Sequence, residues 1–145
     1  MEQVIIKFKK IHEDAVIPQY AHEGDSGMDL YTIQEEVLHP GITKVPTGVQ
    51  VEIPAGYEGQ IRPKSGLALN FNLTVHNTPG TIDSGYRGEV CVLIYNHKCI
   101  PTQLRIHSKI AQLVIAPVVV ADVLEVQELD ETTRGSGGFG STGLQ

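Results

Sequence analysis

Glu89-Val90-Cys91-Val92-Leu93-Ile94-Tyr95 is the stretch on which the fold turns. It is a run of β-branched and apolar residues with no helical spacing, closed by the turn-former Asn96, and a strand filling a sandwich or barrel has this composition. Upstream, Val49-Gln50-Val51-Glu52-Ile53 alternates apolar and polar residues with period two, and downstream residues 110–121 form a second β-branched run. Between these segments lie Pro18, His39-Pro40-Gly41, Pro54-Ala55-Gly56, Pro79-Gly80, Asn96 and Pro101, the close punctuation of an all-β chain. Only residues 66–71 are free to coil into a helical turn, and no stretch carries a sustained i, i+3, i+4 apolar stripe. No self-similarity of 20 to 50 residues is present. The reading is a compact all-β domain over residues 1–131.

At 145 residues the chain is one domain by length. A chain of this size buries roughly 68% of its unfolded surface, so it needs neither disulfides nor a structural metal to fold. Eleven Lys and Arg against 17 Asp and Glu leave a net charge of −6, which argues against a nucleic-acid partner. The longest apolar run, residues 113–121, contains Pro117 and falls far short of the roughly 20 residues needed to span a bilayer. Lys and Asp follow the first apolar residues too closely for a signal peptide, so the expected location is cytoplasmic. Cys91 and Cys99 have no zinc or redox spacing. If residues 89–95 and 99–105 pair as a hairpin about Asn96-His97-Lys98, Cys91 faces Gln103 and Cys99 faces Tyr95, so the thiols stay free. The six histidines are never closer than ten residues and form no HxH or HxxxH clip.

Residues 134–145, RGSGGFGSTGLQ, hold five glycines and read as a flexible tail from residue 132 onward. GSGGFG matches G-x-G-x-x-G by letter, yet five residues remain after it, too few for the helix a dinucleotide fold requires. What survives is local: glycines that let backbone N–H groups wrap an anion, with Arg134, Ser141 and Thr142 as donors and Phe139 able to stack on a flat ring. Four further segments are richer in glycine and polar groups than turns demand. They are DSGMDLY (25–31), RPKSGLAL (62–69), PGTIDSGYRGE (79–89) and KIAQL (109–113). Lys64-Ser65-Gly66 can offer phosphate a cation, a hydroxyl and free N–H groups, or can simply turn the chain. Asp83 follows an apolar pair at a strand end, where a dry pocket would make it a general base and an Asx turn would make it a cap.

Taken in order, DSGMDLY, RPKSGLA, NTPGTIDSGYRGE, KIAQL and RGSGGFGSTG resemble the five motifs of the trimeric dUTP pyrophosphatase (dUTPase) family, across residues 25–143. The resemblance implies a distorted jelly-roll-like β-barrel, a β-clip. It also implies a homotrimer with shared sites, and Mg²⁺-assisted hydrolysis of dUTP to dUMP and pyrophosphate. Such an activity keeps uracil out of DNA and supplies dUMP for thymidylate synthesis. By this resemblance Asp83 orients and deprotonates the water that attacks the α-phosphorus, while Lys64, Ser65, Gly66 and Gln112 hold phosphate oxygens. Asn77 and the backbone from Thr81 to Tyr86 read the uracil edge, and the Tyr86 ring presses on the deoxyribose. Gly80, Ile82, Glu89 and Cys91 complete the substrate-binding set around the hairpin. Asp29 helps orient the water shell of a Mg²⁺ held mainly by the triphosphate. Arg134, Gly140 and Ser141 close on the γ-phosphate end and Phe139 stacks on uracil, the tail reaching a neighbouring subunit's site.

Phosphoryl transfer asks for positioning and charge neutralisation, which a base, a metal and a lid of donors supply. Rejecting thymine needs steric exclusion, because one methyl group in an apolar pocket is worth only about 1–3 kcal/mol. The sequence departs from the family pattern at Lys64, usually arginine, which keeps the charge and loses the bidentate fork. It departs again at His107-Ser108-Lys109 and Asn70-Phe71-Asn72, beside the motifs. The related dCTP deaminases place a glutamate base where this chain has Leu93. The remaining alternative is a nucleotide-sensing interaction protein on the same scaffold.

Overall fold

The computed structural model describes residues 3–145. Ten strands and one short helix follow in the order β1 (Lys7–Lys10), β2 (Gly27–Tyr31), β3 (Glu36–Leu38), β4 (Gly41–Glu52), β5 (Tyr57–Arg62), α1 (Ser65–Phe71), β6 (Leu73–Val75), β7 (Gly80–Ile82), β8 (Glu89–Asn96), β9 (Thr102–Leu104) and β10 (Lys109–Pro117). Among the described residues they form a sheet β1-β4-β8-β6, a sheet β2-β10-β5-β7 and a two-stranded ladder β3-β9, all antiparallel. The jelly-roll-like all-β expectation holds, with the sheets facing one another across a common core and no strand ring closed.

The deciding stretch becomes β8, and its side chains alternate. Val90, Val92 and Ile94 are buried, whereas Glu89, Cys91, Leu93 and Tyr95 lie on the other face and are partly exposed. With Leu30, Leu38, Val45, Val49, Leu73, Val75, Ile110 and Leu113 they make one continuous core. Each such side chain contributes roughly 1.5–3 kcal/mol by leaving water. The helical turn expected at residues 66–71 is α1, which ends on Asn72 in the left-handed region (φ 53°).

Two local expectations are corrected. Residues 102–104 pair with β3, Glu36 opposite Leu104 and Leu38 opposite Thr102, rather than folding back on β8, whose neighbours are β4 and β6. The cause is Asn96: buried at the end of β8, its amide donates to the carbonyls of Leu38 (2.8 Å) and Ile100 (3.0 Å), while its oxygen accepts from Lys98 N–H (2.9 Å). That anchor sends the chain out to a third layer. Cys91 therefore lies opposite Pro46, and both cysteines are free thiols. The β-branched run continuing to Ala121 stops being a strand at Pro117. Val118 N–H reaches Gly56 O (2.8 Å), after which Val119, Val120, Val123 and Leu124 are almost fully exposed.

Candidate functional site

The expected site residues gather in three places. The first is at the end of β5, where the chain leaves Arg62 through Pro63 and Lys64 into α1. Asp29, on β2 and 5% exposed, is ion-paired with both Lys64 and Lys109, the latter at 3.0 Å. Burial pushes the Asp29 carboxyl up, but hydrogen bonds and charge from Lys64 and Lys109 outweigh it and hold the group below the usual carboxylate range. The same contact raises Lys109. Gln112 lies opposite Asp29 on β10, and its amide donates to Pro63 O (2.9 Å). A Cβ on Gly27 would stand 2.3 Å from Gln112 Oε1, so the glycine is what lets Gln112 lie there. Ser65 and Gly66 begin α1 and are exposed, their N–H groups among those a first helical turn leaves without intrahelical partners.

The second place is a cleft of about 350 Å³ between the 77–89 segment and the outer face of β8. Asn77, Gly80, Thr81, Ile82, Tyr86, Glu89 and Cys91 line it together with Lys44, Ile61, Val90 and Leu93, while Asp83 does not. Its walls are set by close contacts. Tyr86 Oη donates to Glu89 O (2.9 Å), and the hydroxyl end of the ring lies so close to Gly88 that a Cβ there would come within 2.3 Å of it. Glu89 in turn accepts from Gly48 N–H (2.8 Å), joining the hairpin to β4. Gly80 packs against the Asn77 amide. The Cys91 thiol is pushed up by burial and by Glu89, against a smaller opposing pull from the Lys44 charge.

Asp83 sits at the rim of this hairpin, one residue beyond β7, with Tyr86 N–H closing a turn on its carbonyl (3.0 Å). Of the two settings weighed for it, the dry pocket is absent from the single chain: Asp83 is exposed, and its carboxylate pairs with no described residue. It does not cap the turn through its side chain either.

The third place is the tail. Arg134 Nε donates to Gly137 O (2.9 Å), Ser141 N–H to Gly138 O (3.1 Å) and Gly143 N–H to Gly140 O (2.9 Å), so the described hydrogen bonds of residues 132–143 stay within the tail. Phe139 is fully exposed at φ 51°, and Gly140 has φ 82°. Arg134, Phe139, Gly140 and Ser141 border a hollow of their own and share no lining residue with the cleft.

A family model described as dUTPase matches residues 13–143. The chain belongs to the dUTPase family. It is 51% identical over 140 residues to the deoxyuridine 5'-triphosphate nucleotidohydrolase of Clostridioides difficile, covering 96% of this chain and 98% of that one. It is 52% identical over 141 residues to the protein of that name from Alkaliphilus metalliredigens, covering 97% and 98%. Among solved structures, a mutant dUTPase of Staphylococcus bacteriophage 80alpha with dUpNHpp superposes with a TM-score of 0.89 at 27% identity, covering 97% of this chain and 99% of that one. A mutant dUTPase from phage phi11 of S. aureus, described for its coordination of a structural Mg(II) ion, gives 0.81 at 25% identity over 88% and 99%.

Within this dUTPase family chain, sequence reasoning assigned no role to Lys44 in the cleft, marked Leu93 only as the place of a deaminase glutamate, and did not connect Lys109 with Asp29. Period-two alternation would have turned Lys44 and Leu93 outward, but pairing Lys44 with Leu93 requires the β4–β8 register, which a bulge between Pro46 and Gln50 offsets. Among the described residues no helix is long and apolar enough to cross a membrane.

Proposed function

We propose that this chain hydrolyses dUTP to dUMP and pyrophosphate by attack of water on the α-phosphorus. The observation that carries the proposal is the cleft bounded by Asn77, Thr81, Cys91 and the Tyr86 ring, with the exposed, unpartnered Asp83 next in sequence to Ile82 of its lining. The base occupies the cleft with its polar edge on Asn77 and the hairpin backbone. Tyr86, pinned between Gly88 and Glu89 O, lies against the sugar and leaves no room for a 2′-hydroxyl. A wall of backbone cannot retreat from a 5-methyl group as a flexible side chain does, which disfavours dTTP. Asp83 orients a water for in-line attack and accepts its proton as the P–O bond to the leaving pyrophosphate breaks.

Lys64, Ser65, Gly66 and Gln112 hold phosphate oxygens. Asp29 fixes Lys64 with its ammonium at the α1 entrance, and a cation so held has less side-chain entropy to lose when it meets phosphate. Mg²⁺ neutralises triphosphate charge when bound. Among the described residues no three His, Cys, Asp or Glu side chains cluster as a metal cage, so the residues present fit an ion carried on the triphosphate with most of its waters. Waters of that shell that reach Asp29 share its oxygens with two ammonium groups.

The active form is a homotrimer with shared sites, acting in the cytoplasm on the free nucleotide pool. Two features support sharing: Asp83 has no cover within its own chain, and residues 118–131 expose a row of apolar side chains that ends in a tail of phosphate donors. Arg134, Gly140 and Ser141 then close on the γ-phosphate of a neighbouring site and Phe139 on its uracil. The reaction is tested by turnover in heavy-oxygen water: the label is expected in dUMP, and label in the pyrophosphate alone would place the attack elsewhere.

A further inference from the structure

We propose that Lys109 is a positioning residue of the reaction: it keeps the buried Asp29 carboxylate partnered and so frees Lys64 to pass from Asp29 to a substrate phosphate. The inference rests on the function proposed above. An irregularity in the β2–β10 ladder aims Lys109 for this task. Gln112 pairs with Asp29 and Ala111 with Leu30, yet Lys109, not Ile110, lies opposite Tyr31. Had the register run on unbroken, Ile110 would stand opposite Tyr31 and Lys109 would turn toward the core. The bulge instead sends Ile110 and Ala111 both inward, at 1% and 0% exposure. Lys109 is thereby set on the sheet face that Tyr31 shares with Asp29. From there its ammonium meets Asp29 Oδ2 at 3.0 Å.

Asp29 therefore faces two cations, Lys64 on Oδ1 and Lys109 on Oδ2, and the three groups together carry one uncompensated positive charge. The two lysines are placed differently. Lys64 immediately precedes α1, beside Ser65, Gly66 and the free N–H groups of the first turn, whereas Lys109 belongs to β10 and is held in the ladder against Tyr31. Lys64 is thus the one that stands among the phosphate donors. An ammonium engaged on a buried carboxylate is not free to serve phosphate, because its departure leaves an unpaired charge at a site only 5% exposed. Lys109 removes that obstacle. It makes no other ion pair among the described residues, so no competing partner draws it from Asp29 when Lys64 leaves. Without Lys109, Lys64 is the one ion-pair partner that Asp29 retains among the described residues, and it stays on the carboxylate.

The experiment compares wild type with Lys109→Met and Lys109→Arg, using steady-state pyrophosphate release from dUTP and calorimetric affinity for dUpNHpp, the imido analogue of dUTP, and for deoxyuridine. Lys109→Met is expected to raise KM for dUTP and to weaken dUpNHpp about tenfold each, the lower end of what a hydrogen bond from a charged donor provides, with a smaller change in kcat. Deoxyuridine, which carries no phosphate, binds all three proteins alike, and Lys109→Arg keeps the wild-type values. Combined with Asp29→Asn, Lys109→Met has no further effect, because no carboxylate is left for Lys109 to hold. Undiminished affinity of Lys109→Met for dUpNHpp overturns the proposal, as does an equal loss for deoxyuridine, which marks a distorted fold. A tenfold loss that persists alongside Asp29→Asn also overturns it, since Lys109 then touches phosphate itself. Wild type that binds dUpNHpp without cleaving dUTP would overturn the proposed function, and the affinities would still decide the role of Lys109.

Discussion

Asp29→Asn removes one charge and no volume, so whatever it changes comes from the two ammonium groups that Asp29 holds. The side chains of Lys64 and Lys109 are 29% and 49% exposed, against 7% for Asp29. A hydrogen bond to a charged partner contributes about 1.5–3 kcal/mol when sheltered, and an exposed pair contributes about 0–1 kcal/mol. Only the Lys64 pair is sheltered, and placing it near the lower part of the first range gives about 2 kcal/mol. For a chain of this length that is a fall of about 4–8 °C in melting temperature. The pH dependence has a definite sign. The folded-state pKa of Asp29 lies below its unfolded value, so its contribution is complete above the unfolded pKa of about 3.9 and is lost as pH falls through the lower folded value. Scanning calorimetry at fixed protein concentration should therefore show the full gap at neutral pH and a shrinking one below about pH 4. A double-mutant cycle with Lys64→Met should leave a coupling of about 1 kcal/mol or more at neutral pH. Additive single mutants, or a gap that does not change with acidification, would refute the reasoning.

Gly27→Ala should push the Gln112 side chain off Pro63 O, since the added Cβ would lie 2.3 Å from Oε1 and 3.0 Å from Gln112 Cβ. The expected result is a loss of kcat/KM of about tenfold or more, with about 1–3 kcal/mol of destabilisation from overpacking, read by steady-state kinetics beside thermal melting. Truncation after Glu131 removes residues whose described hydrogen bonds stay within the tail, so the melting temperature should hold while turnover collapses. Mixing inactive Asp83→Asn protein with inactive tail-truncated protein, followed by subunit exchange through refolding, should restore roughly one quarter of wild-type activity by symmetry counting. Recovery at parental background, with mixed trimers demonstrated by mass, would mean that each site is built within one subunit.

The strands were legible wherever burial imposes alternation: residues 49–52 and 89–95 lie in β4 and β8, and the turn signals fall between elements or at their ends. What escaped was pairing. The hairpin about Asn96-His97-Lys98 looked local, yet one buried amide, bonded to Leu38 O fifty-eight residues away in sequence, diverts the chain to β3. Such a contact has no signature in a window of neighbours. The site residues were legible as motifs, because glycine and polar groups beyond what turns need are visible in composition, and those around the 77–89 hairpin converge on one cleft. The pairing of Asp29 with Lys64 and Lys109, and the place of Lys44 opposite Leu93, depend on strand register, which composition does not carry. Asp83 illustrates the opposite limit: an apolar pair before a carboxylate signals a strand end, and whether that end is dry depends on what packs over it.

The central claim is the reaction and its base and sugar selectivity, and one assay reaches it directly: pyrophosphate release from dUTP, dCTP, dTTP and UTP side by side, each with and without Mg²⁺. Cleavage of dUTP far faster than of the other three, and dependent on the divalent cation, is the predicted result. Comparable rates with UTP or dCTP would contradict it.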